Sequence, residues 1–118
     1  MSPSAQEMNM LTLPANARLF LCQVPVSMRK SFEGLSATVE QMFPGELLSG
    51  ALFIFLSRRR NHMKVLYWDG DGFVIFYKRL EKGVFQMKKD SLSSMERREF
   101  LMLLEGITPK RLQKRFSL

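Results

Sequence analysis

Asp69-Gly70-Asp71-Gly72 stands between two β-prone runs, Lys64 to Trp68 and Phe73 to Lys78, and commits this stretch of chain to a tight antiparallel hairpin. Glycine supplies the positive φ that such turns require, and an Asp side chain folds back onto the amides that follow it. Alternation puts Val65, Tyr67, Phe73, Ile75 and Tyr77 at odd positions and Leu66, Trp68, Val74 and Phe76 at even ones, so both hairpin faces are apolar. One face should pack on helices, leaving the other for a partner.

The other elements are placed around this hairpin. Ala17 to Gln23 reads as a first strand that Pro25 ends. From Ser27 to Phe43, apolar Met28, Phe32, Leu35, Val39 and Met42 recur at steps of three and four, the signature of an amphipathic helix with Ser27 as N-cap and Pro44-Gly45 as its stop. Ala51 to Leu56, short and rich in Phe and Ile, reads as a buried strand. After the hairpin, Val84 to Met87 suggests a further short strand, and Ser93 with Glu96 has capping-box spacing for a second helix that ends at Glu105 before Gly106. The expected fold is α+β, an antiparallel sheet of about four to five strands covered by two helices.

A chain of 118 residues supports one ordinary core, and 46% hydrophobic with 25% charged residues is a globular composition. We therefore expect a flexible arm over 1–14, a single domain over 15–107 and a basic tail over 108–118. Cys22 is the only cysteine, which fits a reducing compartment, and the first residues lack a secretory pattern. The longest apolar stretch, Leu47 to Leu56, is well short of the ~20 residues a spanning helix needs. The expected location is the cytoplasm.

Charge is unevenly placed. Of the net +7, residues 1–56 hold 3 basic and 4 acidic side chains, and residues 57–118 hold 15 and 7. A one-sided positive field attracts polyanions, of which nucleic acid is the most abundant in cells, although it also serves solubility or draws an acidic protein. The excess is densest in Ser57-Arg58-Arg59-Arg60-Asn61-His62-Met63-Lys64, which joins two expected strands and so crowds four cations at one end of the sheet. Arginine forks match phosphate oxygens bidentately, and Asn61 or His62 can add hydrogen bonds. Lys78 and Arg79 extend this candidate phosphate-binding set, and Arg29 and Lys30 are further candidates at the helix start. A solvated loop is the plainer alternative.

Catalytic and metal readings fare worse. Asp69 and Asp71 share one tight turn with no convergent third acid, which suits turn chemistry better than a metal pair. Ser27-Met28-Arg29-Lys30 has the Ser-x-x-Lys spacing of serine acyl enzymes but lacks their accompanying elements. With a single histidine and a single cysteine, neither a zinc site nor a Cys/His dyad has enough members. We expect no enzyme, no cofactor and no metal.

Four ordered blocks narrow the reading further: 28–35 (Met-Arg-Lys-Ser-Phe-Glu-Gly-Leu), 53–55 (Phe-Ile-Phe), 64–73 (Lys-Val-Leu-Tyr-Trp-Asp-Gly-Asp-Gly-Phe) and 76–83 (Phe-Tyr-Lys-Arg-Leu-Glu-Lys-Gly). With Leu103-Leu104-Glu105-Gly106-Ile107 they closely resemble the TnpB-type accessory proteins, products of the second open reading frame of insertion sequence sixty-six family transposable elements in bacteria, over roughly residues 11–107. The resemblance implies a part in DNA transposition, beside a second small accessory protein and a larger transposase that carries the catalytic acids. It transfers no catalytic residue to this chain. The expectation is a non-catalytic accessory protein that contacts element-end DNA or the transposase–DNA complex through its basic loop. The alternative is a protein–protein adaptor for the transposase with no direct DNA contact.

Overall fold

The computed structural model describes residues 17–86. Its centre is a strand of five consecutive buried residues, Leu-Phe-Ile-Phe-Leu over Leu52–Leu56. In chain order the elements are β1 (Leu19–Leu21), α1 (Phe32–Met42), β2 (Leu52–Leu56), β3 (His62–Trp68) and β4 (Phe73–Arg79), and the sheet order is β1-β2-β3-β4. The β2–β3 and β3–β4 pairs are antiparallel, the latter pairing His62 with Arg79 through to Trp68 with Phe73.

The expected all-antiparallel sheet is corrected at β1, which runs parallel to β2 with Leu19 opposite Leu52 and Leu21 opposite Ile54. The chain leaves β1, crosses over through α1 and returns in the same direction, as parallel neighbours require. The ladder also runs past the assigned strand: the Cys22 amide donates to the Ile54 carbonyl at 2.9 Å and the Val26 amide to the Leu56 carbonyl at 3.0 Å. Residues 22–26 therefore travel alongside β2 to its carboxyl end.

Strand alternation sorts the core into two layers. On the α1 side, Phe53, Phe55 and Leu66 pack with Leu35, Val39, Val26 and Cys22. On the other side, Leu52, Ile54, Leu56, Met63 and Val65 pack with Leu19, Leu21 and Phe85. Leu35 and Val39, spaced i and i+4, are the two fully buried side chains of α1, each contributing roughly 1.5–3 kcal/mol by leaving water. At the end of α1 the Phe43 ring lies 5.0 Å from Phe20 and 5.8 Å from Phe53, fastening the helix to β1 and β2.

The helix begins later than its periodicity predicts. Ser27 to Lys30 form a turn in which the Lys30 amide donates to the Ser27 carbonyl and the Arg29 amide to Ser27 Oγ. Ser31, not Ser27, is the N-cap residue, and its side chain makes no capping bond. The expected strand over Val84 to Met87 is not formed at 84–86; there Phe85 is fully buried under the sheet, and its amide donates to the Arg60 carbonyl at 2.7 Å. One helix, α1, is present among the described residues, and the expected second helix, the N-terminal arm and the basic tail lie outside them. No helix among the described residues is long and apolar enough to cross a membrane.

Candidate functional site

The segment 57–61 leaves β2 and enters β3 through a tightly bonded turn. The Ser57 amide donates to the His62 carbonyl at 3.0 Å, closing the hairpin, and the Arg60 amide donates to the Ser57 carbonyl at 2.9 Å. Ser57 Oγ accepts from the His62 amide and donates to Asn61 Oδ1. Arg60 takes φ 60°, a left-handed conformation that a side chain with a Cβ adopts at some cost. It is held there from both sides, because its carbonyl receives the Phe85 amide and the neighbouring Asn61 carbonyl receives the Leu80 amide at 2.8 Å. The loop is thus a fixed platform.

Arg58, Arg59 and Arg60 stand exposed on that platform. Among the described residues, none of the three guanidinium groups has a hydrogen-bond or ion-pair partner. Other arginines are engaged: Arg18 pairs with Glu46, and Arg79 Nε lies 2.9 Å from Glu81 Oε2. Three adjacent cations whose donors have no partner among the described residues form an anion-attracting patch.

The other residues expected at the site divide. His62 and Asn61 belong to the loop, and His62 Nδ1 lies 2.7 Å from the Tyr77 hydroxyl. Arg79 sits beside His62 in the register but is partly neutralised by Glu81. Lys78 pairs with Met63, which belongs to the sheet face away from α1, and is not without a partner. Arg29 and Lys30 are exposed in the 27–30 turn, not in the first turn of the helix as expected.

Lys64 is only 8% exposed. Its register opposite Phe55 and Tyr77 puts it on the α1 side of the sheet. There its Nζ donates to the carbonyls of Met28 at 2.9 Å and Lys30 at 2.7 Å and lies 4.9 Å from the centre of the Tyr77 ring. This ammonium staples the 27–30 turn onto the sheet and is spent on backbone, whereas the sequence grouped it with the loop cations.

The staple creates a cleft. Because β1 and β2 are parallel, their carboxyl ends lie at the same end of the sheet, and residues 25–28 face the 57–62 loop across a space of about 420 Å³. Pro25, Val26, Ser27 and Met28 line one wall; Ser57, Arg58, Arg59, Asn61 and His62 line the other. Sequence reading missed the first wall, since it makes Pro25 only a strand terminator and Met28 helix core. The signal that could have exposed it was the strand–helix–strand order itself, which favours parallel pairing.

At the far end of the hairpin the carboxylates are occupied with the turn. Asp69 Oδ1 accepts from the Gly72 amide at 3.1 Å and the Asp71 amide at 3.3 Å. The bond from the Asp71 amide, then that with the Asp71 side chain, holds the Asp69 carboxyl below its usual range; the shared bond and the Asp69 charge push Asp71 above it. Among the described residues no group of three His, Cys, Asp or Glu side chains is assembled to hold a metal.

Residues 17–114 match the family described as IS66 Orf2 like protein. The chain is 30% identical over 100 residues to "Uncharacterized protein y4jC" of Sinorhizobium fredii, a span that covers 83% of this chain and 86% of that protein. It is 34% identical over 76 residues to "Uncharacterized protein y4hO" of the same organism, covering 64% of this chain and 66% of that protein. No solved structure matches.

Proposed function

The chain belongs to the IS66 Orf2-like family of insertion-sequence proteins, and from that premise we propose that it serves transposition as a non-catalytic accessory that grips DNA phosphates with Arg58, Arg59 and Arg60. The observation that carries the reading is the set of three exposed guanidinium groups, unpartnered among the described residues, on a loop whose backbone is fixed by hydrogen bonds. A fixed loop loses little entropy on binding, and arginine releases counterions from DNA when it neutralises a phosphate. The transposase–DNA complex offers the same phosphates, so the loop would add DNA affinity to an assembly held partly by protein contacts.

The test is a salt titration of binding to element-end duplex. Replacing Arg58 and Arg59 with Ala and Arg60 with Gly, which tolerates the φ of 60°, should lower the slope of log K against log salt by up to about 0.9 for each phosphate that is no longer neutralised. Absence of binding at low salt, or a slope the triple variant does not change, defeats the proposal. One observation favours the adaptor reading: Val24, Phe32, Met42 and Leu48 remain exposed on and beside α1. If that surface holds the transposase, a pulldown survives nuclease and high salt.

A further inference from the structure

The cleft between residues 25–28 and 57–62 has two walls of different chemistry, and a duplex phosphate would use only one of them. Phosphate needs cations and donors, which Arg58, Arg59 and Asn61 supply. Nothing in a phosphate calls for Pro25, Val26 and Met28, whereas the flat apolar face of a base does. The volume of about 420 Å³ falls toward the small end of the ~300–1,000 Å³ typical of small-molecule sites. That is the scale of one nucleotide and far below that of a double helix.

We propose that this cleft receives one unpaired nucleotide of a DNA strand, with its phosphate on Arg58 and Arg59 and its base against Pro25 and Met28. The inference rests on the reading of the loop as a DNA contact and specifies which form of DNA it takes.

Two further features fit that occupant. Polar valences remain on two residues that line the cleft: among the described residues the Asn61 carboxamide takes the Ser57 hydroxyl on its oxygen and makes no bond through its NH₂, and His62 engages Tyr77 through Nδ1 and makes none through Nε2. Bases in single strands are read by such contacts at their edges together with stacking on their faces. The cleft is also built before binding. Lys64 fixes one wall through the Met28 and Lys30 carbonyls, and the bonds to Phe85 and Leu80 fix the other. Its place outside the carboxyl ends of adjacent parallel strands is where open sheets commonly hold ligands.

The experiment compares a fluorescent single-stranded oligodeoxynucleotide with a blunt duplex of the same length at matched salt, using the full chain. The single strand should bind about tenfold tighter, the gain expected of one seated base. Ser27→Trp, which fills the cleft and leaves every cation in place, should bring the single strand down toward the duplex, and Met28→Ala should do so in part. A nucleoside monophosphate should compete with the strand better than inorganic phosphate at equal concentration. Equal or tighter duplex binding by the unaltered chain overturns this inference while leaving the loop's DNA contact standing. Equal competition by phosphate, tighter binding of single-stranded RNA, or a strand preference that neither variant changes also overturns it. Failure to bind any DNA removes both readings together.

Discussion

Lys64→Met is the substitution that most sharply separates a structural lysine from a DNA-contacting one. Methionine keeps the length and packing of the stem and deletes the ammonium that bonds the Met28 and Lys30 carbonyls at 2.9 and 2.7 Å. Hydrogen bonds from a charged donor contribute ~1.5–3 kcal/mol each. Part of that sum is recovered, because the exposed turn lets water reach the freed carbonyls and the desolvation cost of the ammonium disappears. The net loss works out at about 2 kcal/mol, or roughly 8 °C in Tm for a chain of this size. In urea the midpoint should fall by about 1 M with the m-value unchanged. Binding to duplex should keep its salt slope at temperatures where the variant is folded, since the ammonium faces backbone and not solvent. An unchanged urea midpoint combined with a shallower salt slope would refute this account and return Lys64 to the loop.

Arg60→Gly and Arg60→Ala remove the same charge, but only glycine adopts φ 60° freely, so the glycine variant should be the more stable by about 1 kcal/mol in urea denaturation; equal midpoints would show that the loop relaxes. The turn carboxylates make opposite contributions with pH. Asp69, whose folded pKa is lowered, stabilises the fold above the unfolded value of about 3.9, and that contribution is lost as pH falls through the folded value. Asp71, whose folded pKa is raised, contributes below the unfolded value and loses that contribution as pH rises through the folded one. Asp69→Ala should therefore lower the urea midpoint at neutral pH and flatten the acid-side decline, while Asp71→Asn raises the neutral midpoint. Both side chains are exposed, so screening keeps these effects small, and a shift of the same sign in both variants would contradict the assignment.

The hairpin was legible in the sequence because its determinants are local: Asp69 and the glycines specify the turn from within four residues. Strand β2 was legible for a similar reason, a short apolar run with turn signals on both sides. The start of α1 was not, since Met28 continues the helical period into residues that Lys64 holds in a turn, and that bond joins positions 36 apart. Lys64 was misplaced on the same account. A charge in a strand reads as a surface residue unless the carbonyls waiting for it are known. The direction of β1 depends on how α1 returns the chain, which residue periodicity does not encode. For the site, sequence identified the cationic wall by its composition. The apolar wall, made by Pro25 and Met28, exists only because a parallel strand delivers it to the same end of the sheet.

That parallel strand also sets an order of assembly during folding. Strands β2, β3 and β4 meet across loops 57–61 and 69–72, so their pairing costs little chain entropy. Strand β1 finds β2 only after residues 22–51 have been drawn in with α1, a longer closure repaid late. The meander should thus form the nucleus and β1 should dock on it last. Leu21→Ala should then speed unfolding and leave the refolding rate nearly unchanged, while Val65→Ala slows refolding; the reverse pattern would place β1 in the nucleus. On this route the cationic loop is shaped early, and the cleft beside it opens for use only at the final step of folding.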